Sequence, residues 1–206
     1  YDILDWYWES TRYRHIRPKV WANVKGKVLD AGVGTGRNIP HYKGNVYAID
    51  NSDSMLQRAR TRAKNYKKTI HFSNQDVTSL GFPDNYFDTV IATFVLCVLS
   101  PEQEQKAIEE FKRVLKKGGL LVFSRPNGWS IYNRIRYLKG ANTTVVTPGN
   151  NHINDMSRNL LMKLTEKYFK FERIIAEPAV VPLIHIPIKG RVLFSDHLCF
   201  VFKKAF

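Results

Sequence analysis

Apolar and polar positions follow two different periodicities along the first 126 residues of the chain. Short apolar runs, rich in β-branched and aromatic residues, are typical of buried strands; they read "KVLDAG", "NVYAID", "TIHFSNQD", "YFDTVIATFVLCVL" and "GLLVFSRP". Two polar segments between them carry apolar residues at helical spacing, "SDSMLQRARTRAKNYKK" and "PEQEQKAIEEFKRVLKK". We expect Ser52 or Asp53 to cap the first helix, Pro101 to begin the second, and Gly118 to stop it.

Strands that alternate with helices in this way predict parallel strands joined by crossover helices. The fold class is therefore α/β, with a doubly wound, mostly parallel sheet and helices on both of its faces. The pattern loosens after Pro126, which predicts an insertion over about residues 127–155. A helix is expected over "MSRNLLMKLTEKYF", and two closing strands over "FERIIAEPAVV" and "DHLCFVFKKA". The apolar segment "VVPLIHIPI" is expected to be a buried crossing segment; the alternative is that it lines an acyl or prenyl pocket or rests on a membrane surface.

The amino-acid composition limits the classes of protein to which the chain can belong. The 206 residues are 44% apolar and 24% charged, which predicts a single domain with a substantial core. No apolar run reaches the roughly 18 residues that span a bilayer, and "YDILDWYWES" lacks the layout of a signal peptide, so we expect a cytoplasmic protein. Cys97 and Cys199 lie in apolar runs and are expected to be buried thiols; their spacing predicts no metal site.

The net charge of +14 is a strong imbalance. It is compatible with RNA, with contact to an anionic membrane surface, with an acidic substrate, or with a lysine-rich solvated surface, and charge alone does not choose among them. The basic residues of the first predicted helix, from Arg58 to Lys68, do not fall on one narrow stripe. That spacing favours a solvated face over a groove that follows phosphates.

Glycines follow the first predicted strand at every second position, in "VLDAGVGTGRNIP". A dinucleotide loop needs G-x-G-x-x-G; Gly32 and Gly34 match it, but Arg37 occupies the third position. Asp30, at the end of the strand, would repel a pyrophosphate, and no Lys follows Gly36 as a Walker loop requires. A ligand with a cationic end fits better, such as S-adenosylmethionine (SAM), which carries an ammonium and a sulfonium.

At this point the residues resemble a family. "VLDAGVGTG" looks like motif I of the class I SAM-dependent methyltransferases, and "NQDVTSLGFPDNYFDTV" and "FKRVLKKGGLLVF" resemble later blocks of that family in the right order. The resemblance covers residues 28–126, about half of the chain. It implies a seven-stranded sheet and SAM as cofactor. The cofactor-binding residues it implies are Asp30, Ala31, Gly32, Gly34, Gly36, Asp50, Asn51, Met55, Asp76, Val77 and Thr93.

The resemblance also implies individual roles. Asp50 ends the second predicted strand and would accept both ribose hydroxyls, a feature that nicotinamide sites share. Asp76 would receive the adenine amino group, and the backbone N–H of Val77 would donate to the ring. Met55 either packs on the adenine face or belongs to the helix core. Thr93 either contacts the methionine end of SAM or packs.

The methyl acceptor is less sharply indicated. "TFVLCV" lacks the prolines of enzymes that methylate base amines, and Cys97 follows Leu96 rather than a proline, so the chain resembles the group that acts on small molecules, lipids and quinones. We expect a helical lid over about residues 1–25, with Tyr7, Tyr13 and His152 near the substrate and His152 as candidate base. The alternatives are an RNA methyltransferase of the same fold, a nicotinamide-dependent oxidoreductase, and a SAM-binding protein without transferase activity.

Overall fold

A computed structural model describes residues 16–22, 24–126, 168–176, 179–181, 184–188 and 197–205. The helices are α1 (Ile16–Ala22), α2 (Asp53–Ala63) and α3 (Pro101–Val114), with single 3₁₀ turns at Ile39–His41 and Leu96–Val98. The strands are β1 (Lys27–Ala31), β2 (Asn45–Asp50), β3 (Ile70–Asn74), β4 (Phe87–Ala92), β5 (Leu115–Pro126), β6 (Phe169–Ala176), β7 (Ala179–Val181), β8 (Ile184–Ile188) and β9 (His197–Lys204).

Seven strands form the main sheet, in the order β3-β2-β1-β4-β5-β9-β6. The five strands from β3 to β5 pair in parallel, whereas β9 is antiparallel to both β5 and β6. The strand order reverses between β1 and β4, and ligands of such sheets bind at this switch point, outside the carboxyl ends of the strands. The predicted fold class, a mostly parallel seven-stranded α/β sheet, is confirmed.

Helices cover both faces of the sheet because successive strand residues point to opposite sides. In β1, Val28 belongs to the apolar cluster that contains Trp21 of α1 and Leu56 of α2. Its neighbour Leu29 belongs to the cluster that contains Phe111 of α3. The two clusters hold the sheet between α1 and α2 on one side and α3 on the other. This packing fixes the strand ends at which the candidate site lies.

Two helices end earlier than the sequence pattern predicts. The run of helix-forming residues extends to Lys68, but α2 ends at Ala63, and the Lys68 ammonium donates to the Pro40 and Tyr42 carbonyls, each at 2.8 Å. α3 ends at Val114 because the two residues directly before β4 supply its last carbonyls with donors. The amide of Tyr86 donates to the Val114 carbonyl at 2.7 Å. Tertiary hydrogen bonds therefore override helix propensity at both ends.

The remaining expectations for the fold have mixed outcomes. Residues 179–181 and 184–188 pair with each other as a separate antiparallel two-stranded sheet, which the sequence pattern did not predict. Both cysteine thiols are buried, as predicted. Residues 1–15 and 127–167, which contain most of the predicted lid, the insertion and the next helix, lie outside the described residues. Within the described part, no helix has the length and apolarity needed to cross a membrane.

A capping box begins α3 and gives a first testable prediction. The Ser100 hydroxyl accepts the Gln103 amide at 3.3 Å, and the Gln103 side chain accepts the Ser100 amide at 3.0 Å. Ser100→Ala is therefore expected to lower the free energy of unfolding by about 1 kcal/mol, measured by urea denaturation. Ser52 is the matched control, because it occupies the N-cap of α2 without a side-chain cap bond. An equal loss for Ser52→Ala would show that the cap bond is not the cause.

Candidate functional site

The glycine loop follows β1 and is packed on one side and open on the other. Gly32 and Gly36 both have a positive φ, and a Cβ there would lie 2.1 Å from Val95 Cγ2 and 2.5 Å from Ile39 Cδ1 respectively. Any larger residue at these two positions would clash with the core. Among the described residues, nothing lies within 4 Å of where a Cβ on Gly34 would be. The loop therefore turns the backbone of Gly34 toward open space, where a ligand can approach it closely.

Asp50 ties this loop to the end of β2. One oxygen of its carboxylate accepts the Gly34 amide at 2.9 Å, and the other accepts the Ser52 amide at 3.0 Å. Its backbone carbonyl accepts the Gln75 amide at 3.2 Å, which links it to the end of β3. Each carboxylate oxygen has a second lone pair beyond these bonds. Asp50 can therefore hold the loop and still accept two hydroxyl groups.

Asp30 lies at the end of β1 and is fully buried, with 0% of its surface exposed. Its carboxylate accepts the Tyr42 hydroxyl, and the Asn38 side-chain amide donates to its two oxygens at 3.3 and 3.2 Å. Burial raises the pKa of Asp30 from 3.8 to about 6, against the opposing effects of the Tyr42 and Asn38 hydrogen bonds and the positive charge of Arg17. The fold thus places a carboxylate beneath the glycine loop, and its ionisation there lowers the free energy of unfolding.

Helix α1 contributes Arg17 to the same place. Arg17 is 8% exposed, and its guanidinium donates to the Asn38 side-chain oxygen at 2.5 Å. It also lies 5.8 Å from the centre of the Phe94 ring. Phe94 has a φ of 62°, which is rare for an aromatic residue, and its amide donates to the Ser124 hydroxyl at 2.8 Å. The N-terminal helix, the glycine loop and the exit from β4 therefore meet at one point.

Thr93, the residue after β4, joins this network. Its hydroxyl oxygen accepts the Asn38 side-chain amide at 3.0 Å. Thr93 is half-buried, as a residue at the rim of a pocket would be. The structure therefore connects two of the predicted site residues, Asp30 and Thr93, through one asparagine that the sequence prediction did not include.

The predicted adenine-binding residues follow β3. Asp76 is exposed, and one of its carboxylate oxygens accepts both the amide and the hydroxyl of Thr78 at 2.8 Å. Val77 is only 8% exposed, and the described part of the chain provides no recorded acceptor for its amide. A ligand acceptor that bonds to this amide would stabilise the loop. The arrangement suits a flat heterocycle with a ring acceptor.

Helix α3 fixes the loop that carries these residues. The Arg113 guanidinium donates to the carbonyls of Leu80 and Phe82, both at 2.7 Å. Glu110 pairs with Arg113 at 2.8 Å and accepts the Leu80 amide at 2.7 Å. The hydrogen bonds to Arg113 lower the pKa of Glu110, which keeps the pair ionised. The connection between β3 and β4 is thus held in place although it contains no helix.

The other predicted residues have simpler surroundings. Ala31 is fully buried directly before the glycine loop, Asn51 is exposed after β2, and Met55 is half-buried in the first turn of α2. The three predicted substrate-binding residues, Tyr7, Tyr13 and His152, lie outside the described residues.

Sequence reasoning missed Arg17, Asn38 and Tyr42. The available signal was Asp30 itself, because a carboxylate predicted to be buried at a strand end needs donors. Asn38 and Tyr42 lie within six residues of the last glycine of the loop, and both supply such donors. Nothing in the sequence pattern points to Arg17, since its contact depends on how α1 packs.

The sequence matches known methyltransferases over this part of the chain. Residues 29–123 match a family model described as a methyltransferase domain. Over 111 residues the chain is 40% identical to a phosphatidylethanolamine N-methyltransferase of Cereibacter sphaeroides, covering 50% of this chain and 54% of the relative. It is 35% identical to the ubiquinone/menaquinone biosynthesis C-methyltransferase UbiE of Vibrio cholerae, covering 48% and 42%. The chain spans about half the length of these curated relatives.

Solved structures share the fold over a greater length. A SAM-dependent methyltransferase of Thermotoga maritima, described as a possible histamine N-methyltransferase, matches with a TM-score of 0.74 at 21% identity, covering 98% of this chain and 96% of that one. The N-methyltransferase NodS of Bradyrhizobium japonicum, in complex with S-adenosylhomocysteine, matches with a TM-score of 0.63 at 18% identity, covering 94% and 85%. The chain therefore has the fold of the class I SAM-dependent methyltransferases, and the resemblance to a methyltransferase domain is confirmed over residues 29–123.

Proposed function

We propose that this chain is a SAM-dependent methyltransferase that acts on a small or lipid-like acceptor. The observation that carries the proposal is the junction of Gly34 and Asp50. Gly34, which no other described residue covers, lies beside a carboxylate whose oxygens each retain a lone pair. This combination suits a ribose packed against bare backbone, with both of its hydroxyls accepted by Asp50.

The residues around this junction fit SAM better than a dinucleotide. The buried carboxylate of Asp30 favours a ligand that is positive near the glycine loop and disfavours a pyrophosphate. The amide of Val77 and the carboxylate of Asp76 suit the ring and the amino group of adenine. Arg37 stands where a dinucleotide loop has its third glycine. The nicotinamide alternative therefore has the weaker fit.

The proposed mechanism is methyl transfer by positioning. SAM, when bound, supplies a methyl group on a positively charged sulfur, which is already a good leaving group. Asp50 and the loop at Asp76 would hold the ribose and adenine, and Asp30 would stabilise the positive charge of the methionine end. The chain then has to align the acceptor and exclude water, which lowers the barrier without a required base. His152 stays the candidate base for acceptors that must lose a proton.

A lipid-like acceptor is supported by the relatives and by charge. The curated relatives are named for phosphatidylethanolamine and for ubiquinone and menaquinone biosynthesis. The chain carries a net charge of +14, and exposed basic side chains such as Arg58, Lys64 and Lys67 line α2 and the turn after it. Basic surfaces are attracted to anionic membranes. We therefore retain peripheral contact with an anionic membrane face in the cytoplasm as part of the proposal.

Calorimetric titration with SAM, S-adenosylhomocysteine and NAD tests the cofactor. SAM and its demethylated product are expected to bind with dissociation constants of about tens of micromolar or tighter, and NAD is not. Binding of NAD without SAM would contradict the proposal.

Transfer is tested with SAM that carries a labelled methyl group. The acceptors are anionic vesicles with and without phosphatidylethanolamine, a hydroquinone in the same vesicles, and RNA at low and high salt. Label is expected in a lipid fraction. Label in RNA, with a yield that falls steeply as salt rises, would favour the RNA alternative instead. SAM binding without label in any fraction would indicate a SAM-binding protein without transferase activity toward these acceptors.

A further inference from the structure

Exposed lysines collect at the amino ends of the parallel strands, at the edge of the sheet opposite the glycine loop. Because β9 is antiparallel to β5 and to β6, the end of β9 and the start of β6 lie at this edge too. The five residues of β1 place the edge about 15 Å from the glycine loop. We call the following exposed residues the lysine edge: Lys25, Lys43, Lys116, Lys117, Lys170 and Lys203.

The turns that carry these lysines lie close to one another. The turns before β1 and β2 are in contact, because a Cβ on Gly44 would lie 3.1 Å from the Gly26 carbonyl oxygen. The turn within β5 approaches the end of β9, because a Cβ on Gly118 would lie 3.7 Å from Lys203 Cε. Neighbouring strands are about 4.8 Å apart, so the row from β2 to β6 is about 25 Å long. The lysine edge is therefore one continuous surface.

The carboxylates that lie among these lysines are already paired. Asp88 accepts the Lys116 ammonium at 2.7 Å and the Lys27 amide at 2.8 Å. Asp84 pairs with the Arg113 guanidinium at 2.9 Å. The edge therefore has an excess of positive charge, and an anionic partner would relieve the repulsion among its lysines.

Aromatic rings lie beside the lysine edge. The Lys27 ammonium is 3.6 Å from the centre of the Tyr86 ring, and the Tyr86 hydroxyl lies 3.0 Å from the Tyr47 hydroxyl. The Tyr47 ring in turn stacks on His71, with ring centres 4.6 Å apart and an angle of 24° between the planes. Residues 75–86 contain no helix that would cover this part of the sheet, and His71 is exposed. A flat ring on a fixed support thus faces solvent beside the cations.

This combination favours a nucleic acid over a membrane as the anionic partner. Single-stranded nucleic acids are bound by cations along the phosphates and by aromatic rings on which bases stack. Among the described residues, the large apolar side chain that is exposed is Val98, which lies after β4 at the opposite edge, so the lysine edge offers no apolar anchor for a bilayer. A membrane at this edge would also hold the glycine loop away from the lipids.

We propose that the lysine edge binds single-stranded nucleic acid, with lysines on the phosphates and His71 stacked on a base. This surface is separate from the glycine loop, so the nucleic acid is a partner and not the methyl acceptor. The inference goes beyond the proposed function and does not rest on it.

The phosphate contacts are tested by fluorescence anisotropy with a labelled oligouridine. The wild type is expected to bind with a micromolar dissociation constant at about 50 mM salt. Lys43→Glu combined with Lys117→Glu is expected to weaken binding about tenfold and to lower the slope of log affinity against log salt by about 1.4. Arg58→Glu combined with Lys106→Glu is the matched control, because it changes the net charge equally at exposed positions of α2 and α3.

The stacking contact is tested by comparing oligouridine with inorganic polyphosphate, which has the charge but no bases. His71→Ala is expected to weaken oligouridine binding about tenfold and polyphosphate binding less than about twofold. His71→Phe keeps a ring and is expected to bind both probes as the wild type does. If the lysine-edge glutamate pair does not fold, Lys43→Gln combined with Lys117→Gln replaces it, with a smaller loss in the same direction.

Four results would overturn the inference. They are a wild type that does not bind oligouridine, equal losses in the lysine-edge pair and the control pair, equal losses of both probes on His71→Ala, and a lysine-edge pair that loses only its binding to anionic vesicles. Titration of the same variants with S-adenosylhomocysteine is expected to give the wild-type affinity. Nucleic-acid binding by a protein that binds neither SAM nor its product would contradict the proposed function alone, so the two failures are distinguishable.

Discussion

Asp30→Asn is expected to make the protein more stable at pH 8 by about 2 kcal/mol. The wild-type carboxylate is fully buried, and burial raises its pKa from 3.8 to about 6 despite the opposing hydrogen bonds and the nearby charge of Arg17. The difference between these two values corresponds to about 3 kcal/mol of cost for holding Asp30 ionised in the folded protein. This figure is a ceiling, because asparagine does not reproduce every contact of the acid.

The substitution can keep the hydrogen bonds that surround the site. An asparagine oxygen at position 30 can accept from Asn38, and its nitrogen can donate to the Tyr42 oxygen, which donates in the wild type. The substitution removes the negative charge near Arg17. The favourable effect of Arg17 on the ionised Asp30 carboxylate is already included in the pKa of about 6. The net effect is therefore expected to remain stabilising.

The pH dependence has a definite sign. The folded state holds the Asp30 proton more tightly than the unfolded state, so this group favours folding fully below pH 3.8, and the benefit is lost as pH rises through about 6. The stability difference between Asp30→Asn and the wild type should be small near pH 4 and largest above pH 7. Denaturant unfolding at several pH values measures it. A difference that does not grow with pH, or a destabilised variant at pH 8, would contradict the argument.

The same substitution is expected to weaken SAM binding at pH 8, because it removes the negative charge that suits the positive end of the ligand. A gain in stability together with a loss of affinity is typical of a strained or desolvated group retained for function. If affinity and stability both increased, Asp30 would have no electrostatic role toward the ligand.

Much of the scaffold of the site was predictable from local pattern. Each central strand is a short apolar run that ends in a polar residue or glycine, so the order of elements placed the glycine loop, Asp50 and Asp76 after β1, β2 and β3. Parallel pairing then brings these strand ends to one edge of the sheet, where Ala31 pairs with Ile49 and Asp50 with Asn74. The family resemblance supplied the identity of the cofactor.

The interior of the site was not predictable in the same way. Asp30 was predicted as a cofactor-binding residue, but its hydrogen-bond partners Tyr42 and Asn38 were not predicted. A buried charge takes its partners from the donors that tertiary packing brings near it. Arg17 lies in α1, which precedes β1 in the sequence, whereas the glycine loop and Asn38 follow β1. The predicted ends of the helices were wrong for a related reason. The carbonyl of Val114 accepts the Tyr86 amide instead of an amide from a further helical turn.

Asp50→Ala is expected to weaken SAM binding by about 1–3 kcal/mol, or about fivefold to 150-fold in dissociation constant. The carboxylate already accepts the amides of Gly34 and Ser52 at 2.9 and 3.0 Å, and it retains a lone pair on each oxygen for a ribose hydroxyl. Bonds from hydroxyls to a carboxylate are charge-assisted and stronger than neutral ones. Calorimetric titration with S-adenosylhomocysteine measures the loss without methyl transfer.

Two roles of Asp50 can be separated by changing the ligand. If Asp50 binds the ribose, an analogue with 2′-deoxyribose should bind the wild type more weakly but lose less affinity on Asp50→Ala than the parent ligand does. If Asp50 only holds Gly34 in place, both ligands should lose equally. Asp53→Ala is the matched control, because it removes the same charge three residues later, where the carboxylate accepts the Asn74 side chain at 2.7 Å. Comparable weakening by Asp53→Ala would assign the effect to charge near the pocket rather than to hydroxyl recognition.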